Sequence, residues 1–316
     1  MNLEEAKATF LEDQGSANTA RTYDCGLRRF TDWMASKGTY IKTIEDIDPK
    51  RVVDFARHLK REGLSPRSVS SYLTSIVQFL RWLKREGLSS VSGDDLFMLQ
   101  EQIKDWNKKN KSNPLPKLPK EKAVVTALEA AHAIDPKEEE RVRLYHLRNA
   151  ALIELLASTG CRISEAANLK RANLIPDQLA AWVRGGKGRK DRMIVFVSQD
   201  SWDTVQLYLQ ERDKLNHKVI GEEPLFARHD RVAYGQEKVL PMTTGGMRTA
   251  LSLLLEAAGV EHFSPHKLRH RAGTRELNKT GNVAIVQKFL GHKDVSTTIN
   301  TYTHLTYDDV IEAVRG

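Results

Sequence analysis

Cysteine is scarce in this chain, with two in 316 residues, Cys25 and Cys161, neither in a CxxC pair nor beside a histidine at ligand spacing. That excludes a disulfide framework and a thiolate zinc site, and both thiols read as core residues. Apolar runs are short, and none approaches the ~18 residues needed to cross a bilayer. The opening residues, MNLEEAKATFLED, are acidic and amphipathic, without the basic start and apolar middle of a secretory signal. The expected location is therefore the cytoplasm. No glycine-rich P-loop is present to cradle a nucleotide, and no group of acids that would gather metal ions on a phosphate. Internal repeats are absent, and biased composition is confined to one lysine- and proline-rich stretch.

What is present fits a folded protein with two domains. Hydrophobic residues make up 40% and charged residues 28%, the balance of a globular chain, and the length suits two cores of ~100 to 200 residues each. The net charge of +8 favours a polyanionic partner, because lysines and arginines that neutralise phosphates release condensed counterions.

Residues 1–107 read as all helical. Val69, Tyr72, Leu73, Ile76, Leu80 and Leu83 recur at intervals of three and four, marking one buried helix face. Ser65 and Pro66 open that helix as cap and first residue, and Gly87 closes it. Similar signals predict helices near 17–37 and 49–62. Arg67, Arg81, Lys84 and Arg85 ride on this part of the chain, on a face open to solvent or turned toward nucleic acid. Lys108 to Lys120, KKNKSNPLPKLPK, has three prolines and no periodicity and reads as a linker, 108–120.

The second domain, 121–316, is expected to be mixed α/β and mostly helical. Helices are predicted near 121–133, 144–158, 201–214, 243–258, 266–279, 283–290 and 298–304. Between them the period changes: 179–184 and 192–197 alternate as strands joined by GGKGRKD, a β-hairpin with a glycine-rich turn.

Several residues of this half carry chemistry. Arg162 follows Thr159 and Gly160 at the end of an apolar helix, and Glu165 lies three residues on, one helical turn away. Lys187 stands between Gly186 and Gly188, where missing side chains let a lysine tip approach a ligand; Arg189 and Lys190 are rivals in the same turn. SPHKLRH supplies a capping Ser264, Pro265 at the first helical position, and then His266, Arg269 and His270 on one helical face. His266 and His270 have the spacing of a zinc pair but lack the glutamate of HExxH, and Arg269 would repel a dication, so no metal site is expected from His266, His270, His292 and His304. Finally His292 follows Gly291, and Tyr302 sits between Thr301 and Thr303, small polar neighbours unlike those of a core tyrosine.

In this order, TGCRISEAANL, RGGKGRKDR, SPHKLRH, LGH and Tyr302, the chain resembles the tyrosine recombinase (phage integrase) family, which includes the Xer recombinases. The resemblance covers the whole chain, since SPRSVSSYLTSIVQFLRWL looks like the family's helical DNA-clamping domain. The fold it implies is mainly α: an N-terminal helical core-DNA-binding domain and a C-terminal catalytic domain with a small β-hairpin or sheet. The step of ten residues from His292 to Tyr302 looks more like phage and transposon integrases than Xer proteins. Glu165 stands where the family often has aspartate, and 14 residues follow Tyr302, enough for one short helix to dock on a neighbouring subunit.

The function implied is site-specific recombination of double-stranded DNA through a 3′-phosphotyrosyl intermediate. Two arginines, Arg162 and Arg269, present planar donor forks to the non-bridging oxygens, where charge builds up. His292 adds a hydrogen bond to the phosphate. Tyr302 is the nucleophile, a phenol with an ordinary pKa of ~10 that needs help to ionise. His266 serves as base or proton relay, Lys187 protonates the leaving 5′ oxygen, Glu165 orients Arg162 or a histidine, and His270 is either catalytic or structural. The covalent link conserves the phosphodiester energy, so neither ATP nor a metal cofactor is expected. The resemblance further implies a homotetramer on two DNA sites, compatible with accessory DNA-bending or directionality proteins. A type IB topoisomerase-like strand transferase and a non-catalytic DNA-binding protein are the other readings the residues allow.

Overall fold

The computed structural model describes residues 2–39, 47, 49–88, 91–109, 118–185, 191–214, 221–230 and 239–292. The chain divides into two compact units, Met1–Pro114 and Leu115–Gly316.

The elements described in the first unit are all helices: α1 (Leu3–Glu12), α2 (Ala17–Ser36), α3 (Pro49–Arg61), α4 (Pro66–Arg85) and α5 (Gly93–Lys109). Local chemistry sets the ends. Asn2 and Glu5 cap α1 reciprocally at 2.9 and 3.0 Å. Ser65 Oγ accepts the Ser68 N–H ahead of Pro66, and Gly87 takes the left-handed φ of 71° beyond the end of α4. The stripe read from the sequence faces the core, where Val69, Leu73, Ile76, Leu80 and Leu83 pack with Phe10, Phe30, Phe55 and Phe79. Each such side chain contributes ~1.5 to 3 kcal/mol on burial. Helices α2 and α4 cross closely at Gly26, where a Cβ would come within 2.6 Å of Ser75.

Two expectations are corrected here. Cys25 is exposed, not a core thiol, because the buried stripe of α2 runs through Gly26, Leu27, Phe30, Trp33 and Met34. Helix α5 continues through Lys109, into the stretch read as linker, with Leu96, Leu99 and Ile103 packed on the core. The remaining linker residues up to 117 lie outside the described residues.

The second unit is built around α7 (Glu140–Thr159). Leu144, Leu147, Ala150, Ala151, Leu152, Ile153, Leu155 and Leu156 are all buried, so the second half of this helix, apolar on nearly every side, lies inside. Around it pack α6 (Glu121–His132), α8 (Ile163–Asn168), α9 (Gln199–Asp213), α10 (Thr244–Ala257) and α11 (Pro265–Thr280), and α12 (Val283–Leu290) packs on α11. The predicted hairpin is present as β2 (Ala180–Val183) and β3 (Arg192–Val195), antiparallel with Ala181 opposite Ile194, and a two-residue β1 (Leu174–Ile175) extends it to a three-stranded sheet. Asp191 closes the foot of the turn, accepting from Arg184 at 2.7 Å and from the Gly185 N–H at 3.0 Å. The helix expected over 298–304 lies outside the described residues.

Candidate active site

Helix α7 ends at Gly160, whose φ of 58° favours glycine and whose missing Cβ leaves room for Ala272 and Leu290, each 3.0 Å from where it would stand. The last carbonyls of a helix have no partner within it. Here arginines of α11 reach across to them. Arg275 donates to the Ala157 and Ser158 carbonyls at 3.2 and 2.8 Å, and Arg269 donates to that of Gly160 at 2.8 Å. Arg269 gives its other terminal nitrogen to the Leu290 carbonyl at 2.5 Å, at the end of α12. It is 3% exposed, so a guanidinium is held rigid where the negative ends of two helices meet.

Arg162 enters from the other side, at the N-cap of α8. Its backbone N–H donates to Glu165 Oε2 at 2.7 Å and its guanidinium to Oε1 at 2.8 Å, while a longer bond of 3.4 Å reaches the Gly291 carbonyl. Its side chain is 35% exposed, so this guanidinium faces solvent while its carboxylate partner is buried.

Arg192, the first residue of β3, completes the group and was not singled out from the sequence. Its Nε and one terminal nitrogen take the two oxygens of Glu165 at 3.1 and 2.6 Å, and the other terminal nitrogen donates to the Phe289 carbonyl at 3.0 Å. Strand alternation could have found it. Arg192 shares the inward face with buried Ile194, between exposed Asp191, Met193 and Val195, and a charge turned inward on a strand needs a buried partner.

Burial alone would raise the pKa of Glu165, but the hydrogen bond and charge of Arg192, with the N–H and charge of Arg162, hold it at about 2. His292 follows the left-handed Gly291 cap and is half-buried. Burial, then the charges of Arg269 and Arg162, lower its pKa to about 4. His270 is lowered to about 4 by burial, His266 and Arg269. It shares a 2.9 Å hydrogen bond with exposed His266, ring centroids 4.3 Å apart, so the pair is suited to passing a proton between the two rings.

Of the residues expected from the sequence, the structure brings Arg162, Glu165, Arg269 and His292 into one cluster around the ends of α7 and α12, with His266 and His270 on the same helix as Arg269. Lys187 and Tyr302 lie outside the described residues. Three guanidiniums stand against one carboxylate, a surplus of positive charge beside neutral imidazoles, which suits an anion with more than one acceptor oxygen.

The chain as a whole is similar to known proteins. The family described as Phage integrase matches residues 123–309, and the Phage integrase N-terminal SAM-like domain matches residues 7–87. The chain is 32% identical to tyrosine recombinase XerC of Oceanobacillus iheyensis over 96% of this chain and 90% of that protein. It is 29% identical to tyrosine recombinase XerD of Listeria innocua over 92% and 89%. Among solved structures, the Tn1549 transposon integrase in complex with circular intermediate DNA superposes with a TM-score of 0.69 at 19% identity, covering 99% of both chains, a likeness of fold. The topoisomerase-like and non-catalytic readings find no support in these matches.

Proposed function

Since the chain belongs to the phage integrase family of tyrosine recombinases, enzymes that cut and rejoin DNA, we propose that it recombines specific double-stranded DNA sites through a covalent link to Tyr302. The observation that carries this reading is the convergence of Arg162, Glu165, Arg269 and His292 from distant motifs onto the ends of two helices.

In this reading the scissile phosphate sits against Arg162, Arg269 and His292. Arg162 offers its solvent-facing guanidinium to the non-bridging oxygens, Arg269 supplies a buried, immobile charge, and His292, neutral near pH 7, donates a hydrogen bond. Glu165 holds Arg162 and does no proton chemistry, because a carboxyl at about 2 stays ionised. The Tyr302 phenol attacks phosphorus and passes its proton toward His266, with His270 beside it to relay the charge. The 3′ phosphate becomes bonded to the tyrosine, the bond to the 5′ oxygen breaks, and Lys187 gives that oxygen its proton. Attack by the 5′ hydroxyl of a second strand reverses the steps and restores a phosphodiester, so no ATP is consumed. A tetramer on two DNA sites brings the exchanging strands together. Residues 1–107 are assigned to gripping DNA, 108–120 to linking, and 121–316 to catalysis.

The reading is tested with nicked duplexes enriched from a random pool for binding to this protein. Loss of the short fragment below the nick traps any covalent complex. Wild type is expected to yield a protein–DNA adduct that survives denaturation, and Tyr302→Phe none; an equal yield from both would remove Tyr302 as nucleophile. A 5′-thio leaving group, which departs without a proton, should rescue Lys187→Ala; rescue of Lys190→Ala or Arg189→Ala in its place would move the acid to that residue.

A further inference from the structure

We propose that Arg192 is a positioning residue for strand cleavage, one that grips Glu165 from the foot of the hairpin and thereby fixes the aim of Arg162. This rests on the reading of the site just given.

Arg162 has two anchors for its guanidinium, the 2.8 Å bond to Glu165 and the 3.4 Å bond to the Gly291 carbonyl, and the first is much the stronger. Glu165 therefore decides where Arg162 points. Glu165 is buried, and beyond Arg162 its oxygens are held by the paired bonds of 3.1 and 2.6 Å from Arg192. A paired fork fixes a carboxylate in its plane, which a single bond does not. Arg192 also spends its remaining terminal nitrogen on the Phe289 carbonyl, one turn before His292. The strand carrying it is thus fastened to the end of α12 as well as to α8.

The fit around Arg192 is close. A Cβ on Gly291 would stand 2.4 Å from Arg192 Cδ, so the arginine stem fills the space that a side chain there would need. The Arg192 side chain is 14% exposed and all three of its guanidinium nitrogens have protein partners. It is built to hold the cluster together, and the more exposed Arg162 is the one that can meet a phosphate.

Misplacing a catalytic group by about 1 Å costs on the order of 100-fold in rate. Arg192→Met, which keeps the stem and removes the fork, is expected to slow single-turnover adduct formation on the nicked duplexes about 100-fold, with DNA affinity changed less than threefold. The decisive readout is a double-mutant cycle with Glu165→Gln. If Arg192 acts through Glu165, adding Arg192→Met to Glu165→Gln should cost less than about threefold more. Arg192→Lys, which retains the charge and one bond, should recover no more than about tenfold, and it replaces the methionine in the cycle if that variant does not fold. Undiminished cleavage by Arg192→Met, or the full loss repeated in the Glu165→Gln background, overturns the proposal while leaving the parent reading intact. Absence of any adduct from wild type overturns both.

Discussion

Glu165 is ionised over the whole range in which this fold is expected to persist, because Arg192 and Arg162 hold it at about 2 against an ordinary 4.5. A carboxyl depressed in the fold stabilises it fully above its unfolded pKa and loses that contribution as pH falls from about 4.5 toward 2. Glu165→Gln should therefore unfold at markedly lower urea than wild type at pH 7, by roughly 3 kcal/mol, and the gap should narrow at pH 3. A gap independent of pH would mean the carboxylate charge is not what the site uses. His292 has the opposite chemistry. With a pKa near 4 in the free protein, its imidazole should titrate by NMR well below the usual 6.5, and a DNA phosphate arriving beside it should raise that midpoint. A midpoint unmoved by DNA would place the phosphate elsewhere. Most residues of the cluster were legible because each stands beside a glycine or a cap: Arg162 after Gly160, Arg269 after Ser264 and Pro265, His292 after Gly291. Arg192 was not. It closes a turn crowded with cations, where one more arginine carries no signal until the strand's inward face is known.

At the scale of elements, two left-handed glycines set the ends that make the site. Gly160 and Gly291 stop α7 and α12 so that the carbonyls of Gly160, Leu290 and Gly291 face arginines. Alanine at Gly160, Gly291 or Gly281 pays ~1 to 2 kcal/mol for the backbone, but the space differs. Gly281 has nothing within 4 Å, whereas a Cβ on Gly291 would stand 2.4 Å from Arg192. Gly281→Ala should lose stability modestly in urea titrations and cleave normally, while Gly291→Ala should lose more and also slow adduct formation by at least tenfold. Equal cleavage by the two would show that the approach of Arg192 to Gly291 does not matter. Helices with a clear stripe and cap were readable, among them α4 and α12. The two-residue β1 and the six-residue α8 were not, since neither is long enough to display a period.

At the scale of the molecule, the described residues form two separate hydrophobic cores, one centred on Phe30, Phe55 and Phe79 and one on Leu152, Leu156 and Tyr208. A fragment of residues 118–316 should on this basis melt cooperatively by itself; a gradual, uncooperative transition would show that its core depends on the first unit. The loss of period after the first helical run is where the linker was expected to begin, and α5 continues into its first lysines. With a net charge of +8, DNA affinity should fall steeply and linearly in log–log form as salt rises. The proposed function turns on the atom that takes the DNA. After trapping on a nicked duplex, nuclease trimming and proteolysis, mass spectrometry should find a nucleotide joined through its 3′ phosphate to Tyr302 in the peptide that follows His292. A nucleotide on any other residue, or one attached through a 5′ phosphate, would contradict it.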